Sequence, residues 1–250
     1  MWWPIARCGL ALLLLAMGAP QLAAQALPPG MLEAKPQPWE VETPQAGGHG
    51  SSRYLFVGTL RCKNAGEAIV GVRVLRSEVV DLIQIGCARI DCTDLMECTW
   101  QKLERGAYAG KPNDKSQSAI AVCPHDAVIA GFRARLRVAG TGPVDYVSDL
   151  QFECARLIGT ALPPGDGQAD GGVPVSDGQR SWLPYASSES SNGSAVPEPA
   201  WDLEARCDQR AATGVSLAVG SYKPTGQPVI QALSLFCTKA PAAVGTLADN

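Results

Sequence analysis

The chain has 250 residues and a formal net charge of −3; 46% of its residues are hydrophobic and 18% are charged. This length is sufficient for one or two domains with a sizeable core, and the small negative charge disfavours a nucleic-acid-binding protein that works through phosphate contacts. The 26 glycines, 19 prolines and nine cysteines are not typical of a coiled coil, a helical bundle or a membrane protein.

The first 26 residues have the pattern of a secretory signal peptide. Arg7 precedes an apolar run, Cys8–Ala19, which at about twelve residues is too short to span a membrane. A small-x-small cleavage site follows at Ala24-Gln25-Ala26. We therefore predict a signal peptide at 1–26 and a mature chain, beginning at Leu27, that is secreted or periplasmic and does not span a membrane.

Removal of Cys8 leaves eight cysteines, and an even number in an oxidising compartment predicts a disulfide framework. A zinc site is disfavoured because the sequence has no C-x-x-C pair and only two histidines, His49 and His125. The Asp-Gly pairs within 160–199 match no known calcium-loop spacing, so we predict no metal and no cofactor. The eight cysteines are Cys62, Cys87, Cys92, Cys98, Cys123, Cys154, Cys207 and Cys237.

Three segments that lead into a cysteine repeat one hydrophobic pattern. Apolar residues stand seven, four and two positions before Cys87, Cys154 and Cys237, and the last of these positions alternate as on a strand with one buried face. The position seven residues before each cysteine has the wrong parity, so we expect a β-bulge between it and the position four residues before. The three segments are VVDLIQIGC, YVSDLQFEC and VIQALSLFC.

A second set of cysteines, Cys62, Cys123 and Cys207, precedes an alternating strand in each unit. Each unit thus reads as about four strands, and we predict units at 39–92, 100–158 and 182–240 that form one domain. We also predict that each unit closes on itself through Cys62–Cys87, Cys123–Cys154 and Cys207–Cys237, which leaves Cys92–Cys98 as a local loop. Each second-set cysteine is followed by Gly71, Gly131 or Gly214 and preceded by Trp39, Trp100 or Trp182, which we expect to anchor the core of its unit.

The segments around the units are rich in Gly, Pro, Ser and Asp. We predict a flexible leader at 27–50, a long surface loop at 160–199 and a flexible tail at 241–250. The segments 40–52, 104–118 and 160–200 stand at equivalent points of the three units. We therefore expect them to gather as loops at one end of the molecule.

Three disulfide-closed units of this form resemble the vitelline membrane outer layer protein family, and more distantly the jacalin-type lectins. The first resemblance implies an all-β, threefold β-prism of three Greek-key sheets. The periodicity alone is also compatible with a β-trefoil, although a disulfide inside each unit favours the prism. The resembling stretches, within about 39–240, are CKNAGEAIVGVRV…VVDLIQIGC, CPHDAVIAGFRARL…PVDYVSDLQFEC and CDQRAATGVSLAV…VIQALSLFC; Gly110-Lys-Pro-Asn-Asp114 matches the letters of a jacalin-type sugar-site motif, Gly-x-x-x-Asp.

A catalytic Ser/His/Asp arrangement has no support, because His49 lies in a glycine-rich leader and His125 lies in a loop just after the half-cystine Cys123. Paired carboxylates could instead hydrolyse glycosides. Asp81 and Asp145 each follow a valine at the turn into the last strand of a unit, where an acid typically caps the turn. We treat them as candidate binding residues and assign no catalytic residue.

Three arginines, Arg133, Arg135 and Arg137, alternate along one predicted strand and therefore project from one face. Arg73 occupies the equivalent position in the first unit. Guanidinium groups suit carboxylate or phosphate ligands, so this face is a candidate contact for an anionic polymer such as an acidic glycan or an envelope lipid headgroup.

These observations favour a secreted, disulfide-rich and non-enzymatic β module that binds a glycan or another extracellular or envelope polymer, or that serves a structural role. A carbohydrate-active enzyme that uses paired carboxylates is one alternative, and an extracellular protein-binding scaffold or inhibitor is another. The sequence leaves the oligomeric state open.

Overall fold

The computed structural model describes residues 40–48, 54–64, 66–94, 97–138, 144–158, 175–183 and 200–238. Every regular element in these ranges is a β-strand, which confirms the all-β class. The strands are β1 (Glu40–Glu42), β2 (Ala46–Gly47), β3 (Phe56–Arg61), β4 (Glu67–Arg76), β5 (Val80–Asp94), β6 (Glu97–Trp100), β7 (Glu104–Gly110), β8 (Gln117–Val122), β9 (Ala127–Val138), β10 (Asp145–Leu157), β11 (Val175–Trp182), β12 (Leu203–Arg206), β13 (Ala212–Tyr222) and β14 (Gln227–Thr238).

The strands form three antiparallel sheets, each with a path of four strands. Sheet I has the order β6-β5-β4-β8 with β7 also beside β5; sheet II has the order β11-β10-β9-β12; sheet III has the order β1-β14-β13-β3 with β2 also beside β14. Three separate sheets around one core confirm the β-prism-like architecture rather than the β-trefoil.

Alternation along the central strands directs one face of each sheet into a shared core. Phe132 and Phe152, paired across β9 and β10, are both almost completely buried, whereas Arg133 and Gln151 of the next pair are on the opposite face. The core therefore lies between the three sheets. Its sheet contributions include Val72, Val74, Ile83 and Ile85 from sheet I, Phe132, Leu150 and Phe152 from sheet II, and Val215, Leu217, Leu233 and Leu235 from sheet III.

A β-bulge interrupts the last long strand of each unit at the predicted place. In sheet I, Leu75 pairs with Leu82 and Arg76 pairs with Val80, so Asp81 is the extra residue. The register shifts in the other two sheets leave Ser148 and Gln231 as the extra residues. All three residues stand six positions before the unit's second cysteine. The bulge prediction is confirmed, and it shows that Asp81 is equivalent to Ser148 and not to Asp145.

The strand that leads into the first cysteine of each unit lies in the sheet of a neighbouring unit. Strand β3 pairs with β13, β8 pairs with β4, and β12 pairs with β9. Each of these strands ends just before the first cysteine of its unit. The units are therefore interlocked in a ring, in which the earliest of these strands closes the sheet formed by the last two strands of the described chain.

All four predicted disulfides are present: Cys62–Cys87, Cys92–Cys98, Cys123–Cys154 and Cys207–Cys237. Because Cys62, Cys123 and Cys207 each follow an exchanged strand, their disulfides join two sheets. The bond between Cys92 and Cys98 instead joins directly opposed residues of β5 and β6.

Three segments that we expected to be loops or leader contain edge strands. β1 and β2 lie beside β14, β7 lies beside β5, and β11 lies beside β10. The assignment of 40–47 to a flexible leader and of 175–182 to a surface loop is therefore wrong, because the open edge of the last strand in each unit offers backbone hydrogen bonds that composition does not reveal. The predicted signal peptide, the tail 241–250 and Trp39 lie outside the described residues.

The two described tryptophans of the predicted repeat occupy different environments. Trp100 is 6% exposed, and its indole N–H donates to the carbonyl oxygens of Pro124 at 2.8 Å and Ala127 at 3.0 Å. Trp182 is only half-buried and stands opposite Glu153, on the outer side of sheet II. The expectation of a core anchor holds for Trp100 and is wrong for Trp182.

Candidate functional site

Arg133, Arg135 and Arg137 lie on β9 with side chains on the outer face of sheet II, as alternation requires. The Arg133 Nε donates to Gln151 Oε1 at 2.6 Å. Arg135 lies 3.3 Å from the Asp149 carboxylate. Arg137 is about half exposed and lies 3.7 Å from the Glu78 carboxylate. The three arginines therefore form a stripe along β9, but each of them already has a polar neighbour.

Two tryptophans pack against this stripe. The guanidinium carbon of Arg133 lies 4.7 Å from the centre of the Trp182 ring and 4.5 Å from that of the Trp201 ring. Arg135 lies 4.3 Å from the Trp201 ring, and Arg206 lies 5.7 Å from the Trp182 ring. These are cation–π distances. We call Trp182, Trp201, Arg133, Arg135 and Arg206 the tryptophan–arginine face.

Edge strands hold both indoles in place. β11 carries Trp182 beside Glu153 of β10. Trp201 lies two positions before β12, which pairs with β9. The residue between them is held by two hydrogen bonds: the Asp202 backbone N–H donates to Ala134 O at 3.0 Å, and its carboxylate accepts the Leu136 N–H at 2.6 Å. Sequence analysis missed Trp201, because no repeat position marks it and only the pairing of β12 with β9 brings it to the arginines.

Carboxylates balance the charge of this face. Glu153, whose side chain is 2% exposed, binds Arg180 at 3.0 Å and Arg206 at 2.9 Å. Asp149 binds Arg76 at 2.8 Å in addition to Arg135. The result is a set of fixed guanidinium planes and carboxylates, rather than a row of unpaired cations.

The equivalent outer face of sheet I has a different character. Arg73 donates from Nε to Ser118 Oγ at 3.0 Å. Its cross-strand neighbours are Gln84 and Ile120, and Gln84 in turn pairs with Tyr108. Ile120 and Tyr108 are 68% and 51% exposed. Among the described neighbours of Arg73, no indole packs against its guanidinium group, so the outer face of sheet I lacks the tryptophan–arginine arrangement of sheet II.

Asp81 holds a loop rather than facing a second acid. Its Oδ1 accepts hydrogen bonds from Ser77 at 3.1 Å and Asn113 at 3.0 Å, and its Oδ2 accepts one from Ser116 at 2.7 Å. Gly110 begins this loop at a φ of 95°, and a Cβ there would stand 2.0 Å from Asp81 O. The Gly110–Asp114 segment therefore folds around a buried carboxyl group. Asp145 belongs to another sheet, where it pairs with Val138.

Burial raises the pKa of the Asp81 carboxyl above its ordinary value of 3.8, although the hydrogen bonds from Ser116, Ser77 and Asn113 act in the opposite direction. A raised folded-state pKa means that the folded protein binds this proton more tightly than the unfolded chain. The contribution of Asp81 to stability is therefore largest below pH 3.8 and is lost as the pH rises from 3.8 through the folded-state pKa.

We predict that Asp81→Asn removes this pH dependence. Because asparagine does not ionise, the stability of the variant relative to the wild type should increase as the pH rises through that window. Urea midpoints between about pH 3 and about pH 6 measure the effect. Asp114→Asn, which changes an exposed acid of the same loop, is the control. A wild-type-to-variant difference that stays constant with pH would contradict the prediction.

His125 packs against Trp100. Its ring stacks on Trp100 with centroids 4.3 Å apart, and its Nδ1 lies 3.0 Å from Trp100 O. Among the described residues, no group of three or more His, Cys, Asp or Glu side chains is arranged to hold a metal ion. The same residues include no helix that is long and apolar enough to cross a membrane.

The chain is thus a disulfide-bonded, three-sheet protein of β-prism-like architecture with an aromatic and charged face on one sheet. Two solved structures are similar to it. One is a variant of Malaysian banana lectin, with a TM-score of 0.40 and 12% identity over 80% of this chain and 98% of that chain. The other is a mannose-specific jacalin-related lectin from Morus nigra in complex with mannose, with a TM-score of 0.38 and 9% identity over 77% of this chain and 99% of that chain.

Neither the protein-family models nor the curated proteins compared with this chain give a match. The resemblance to the vitelline membrane outer layer protein family therefore stays a prediction.

Proposed function

We propose that this protein is a secreted or periplasmic, non-enzymatic module that binds a glycan through the tryptophan–arginine face. The observation that carries the proposal is the interleaving of the Trp182 and Trp201 rings with the guanidinium groups of Arg133, Arg135 and Arg206 on one outer face.

The chemistry of a sugar fits such a face. A sugar ring has apolar C–H patches that pack against an indole, and hydroxyl groups that both donate and accept hydrogen bonds. Guanidinium groups donate in a fixed plane, and carboxylate and amide oxygens accept. The ion pairs of Glu153 and Asp149 hold the donors in position before a ligand arrives, which reduces the entropy lost on binding.

The balance of charge favours a glycan whose recognition depends on hydroxyl groups over a purely anionic polymer. Arg133 bonds a neutral amide, Arg135 faces Asp149, and Arg206 faces Glu153. The enzyme alternative has less support, because the oxygens of Asp81 accept hydrogen bonds from Asn113 and Ser116, in the loop after Gly110. Asp149 and Glu153 are held by arginines.

The disulfides support the proposed location. Four disulfides in one chain form and persist in oxidising compartments and are rare where thiols are kept reduced.

We predict that Trp182→Ala and Trp201→Ala each weaken glycan binding by about tenfold or more, since aromatic side chains that a ligand covers carry much of the binding energy of an interface. The measurement is a glycan array of neutral, acidic and amino-sugar polymers, probed with the oxidised protein purified after export. Titration of the best ligand follows for each variant. Tyr108→Ala, which removes an exposed aromatic from the corresponding face of sheet I, is the matched control and should bind as the wild type does.

Thermal unfolding of each variant shows whether a loss of binding reflects a loss of fold. A blank array from folded wild-type protein would contradict the proposal and would favour a protein partner. Equal losses in the tryptophan variants and in Tyr108→Ala would place the site elsewhere.

A further inference from the structure

A groove of about 870 Å³ lies between sheets II and III, at the corner next to the tryptophan–arginine face. One wall is formed by Val41–Pro44, at and after the edge strand β1, and the other by residues 206–210. The disulfide from Cys207 joins this second wall to Cys237 of β14, which also lines the groove.

Arg206 belongs to both the groove and the tryptophan–arginine face. Its guanidinium group lies 5.7 Å from the Trp182 ring, and the same residue lines the groove. Its side chain is 45% exposed, so it is accessible to a ligand although it binds Glu153. The two surfaces are therefore continuous at this residue.

Arg180 fixes the groove wall to the face. It binds the buried Glu153 at 3.0 Å, and its other terminal nitrogen donates to Cys207 O at 3.1 Å and to Asp208 O. Because Glu153 also binds Arg206, one buried carboxylate, beside Trp182, connects the groove wall to the tryptophan–arginine face. The groove and the face are held together by these contacts, which makes them suited to one ligand that contacts both.

The groove lining combines polar and apolar groups. Glu42, Asp208, Gln209 and Arg210 supply acceptors and donors, and Val41, which is 50% exposed, supplies apolar surface together with Pro44. Its volume lies within the range of about 300–1,000 Å³ that is typical of ligand sites, and it is large enough for more than one sugar unit.

We propose that the tryptophan–arginine face and this groove form one extended site for a linear oligosaccharide, with one part of the ligand on the indoles and the following sugar units in the groove past Arg206. This inference rests on the proposed function and specifies its ligand as a chain of several sugars. Affinity then increases with chain length until the groove is filled.

The test is a titration of the oxidised protein with cello-, chito- and galacturono-oligosaccharides of about two to six sugars, in the class that the wild type binds. We expect about tenfold tighter binding of the hexamer than of the dimer, as each added unit reaches the groove. Val41→Trp fills the groove from an exposed position on β1. It should reduce this ratio to about twofold or less and leave dimer affinity unchanged.

Val57→Trp is the matched control. Val57 is 49% exposed and lies on β3, the opposite edge strand of the same sheet, away from the groove. It should preserve the length dependence, and thermal unfolding shows whether both variants remain folded.

Equal affinity for dimer and hexamer in the wild type would overturn the extended site, and so would a length dependence that Val41→Trp leaves intact. In both cases, dimer binding that is lost in Trp182→Ala would still support the proposed function. Absence of binding at every length in all three classes would instead count against the proposed function itself.

Discussion

Glu153→Ala is expected to lower the free energy of unfolding by about 3–5 kcal/mol, because it removes the buried carboxylate that neutralises a buried guanidinium group. The cost arises chiefly at Arg180, whose side chain is 10% exposed and which faces Glu153 at 3.0 Å. Arg206, at 45% exposure, can recover part of its solvation from water. Urea denaturation, followed by tryptophan fluorescence and by circular dichroism, measures the change.

Glu204→Ala is the matched control for this prediction. Glu204 binds the same Arg206 at 2.7 Å, but its side chain is 44% exposed. An exposed pair of this kind contributes about 1 kcal/mol or less. If the two variants lost similar amounts of stability, the burial of Glu153 would not be the cause. Glycan affinity should also fall in Glu153→Ala, because the carboxylate positions Arg206 and the groove wall.

Removal of the Cys207–Cys237 disulfide, by changing both residues to alanine, is expected to reduce the free energy of unfolding by about 3–4 kcal/mol. The bond closes a segment with a sequence separation of 30 residues and joins the end of the exchanged strand β12 to β14. Without it, the unfolded chain gains conformational freedom, and one of the links between sheets II and III is lost. Guanidinium-induced unfolding without reductant measures the effect.

The Cys92→Ala/Cys98→Ala pair is the comparison for this second prediction. Its disulfide spans a sequence separation of only 6 residues and lies within one hairpin, so its removal should cost about 2 kcal/mol. A larger loss for the short loop than for the long one would show that loop closure does not determine the contribution of these bonds.

The repeat pattern was sufficient to predict several features of the fold. The parity of Val80, Val147 and Ile230 relative to the strand that follows predicted three bulges, and all three are present. The repeated positions of the cysteines predicted three disulfides, and the two cysteines left over predicted the fourth. These predictions succeed because they depend on local alternation along one strand, or on a pair of cysteines that recurs at equivalent positions in each unit.

The candidate site was predicted less completely. Alternation placed Arg133, Arg135 and Arg137 on one face, as found. The indoles that cover this stripe are Trp182, on β11, and Trp201, two positions before β12. The repeat marked Trp182 only as a core anchor, and it marked no position for Trp201. The stripe therefore read as a row of cations in the sequence, although the folded protein presents an aromatic and charge-balanced face.

The sequence by itself determined the strand character, the buried faces, the bulges and the cysteine pairs, because each follows from side-chain alternation and from the repetition of one unit. Only the tertiary structure decided which sheet each strand joins. β3, β8 and β12 lie in neighbouring sheets, and residues 40–47 and 175–182 complete sheet edges. A strand pairs with an open sheet edge through its backbone N–H and C=O groups, so almost any side-chain sequence can occupy that edge. The folded arrangement of the whole chain therefore decides which segment becomes the edge strand, and with it the positions of Trp182 and Trp201.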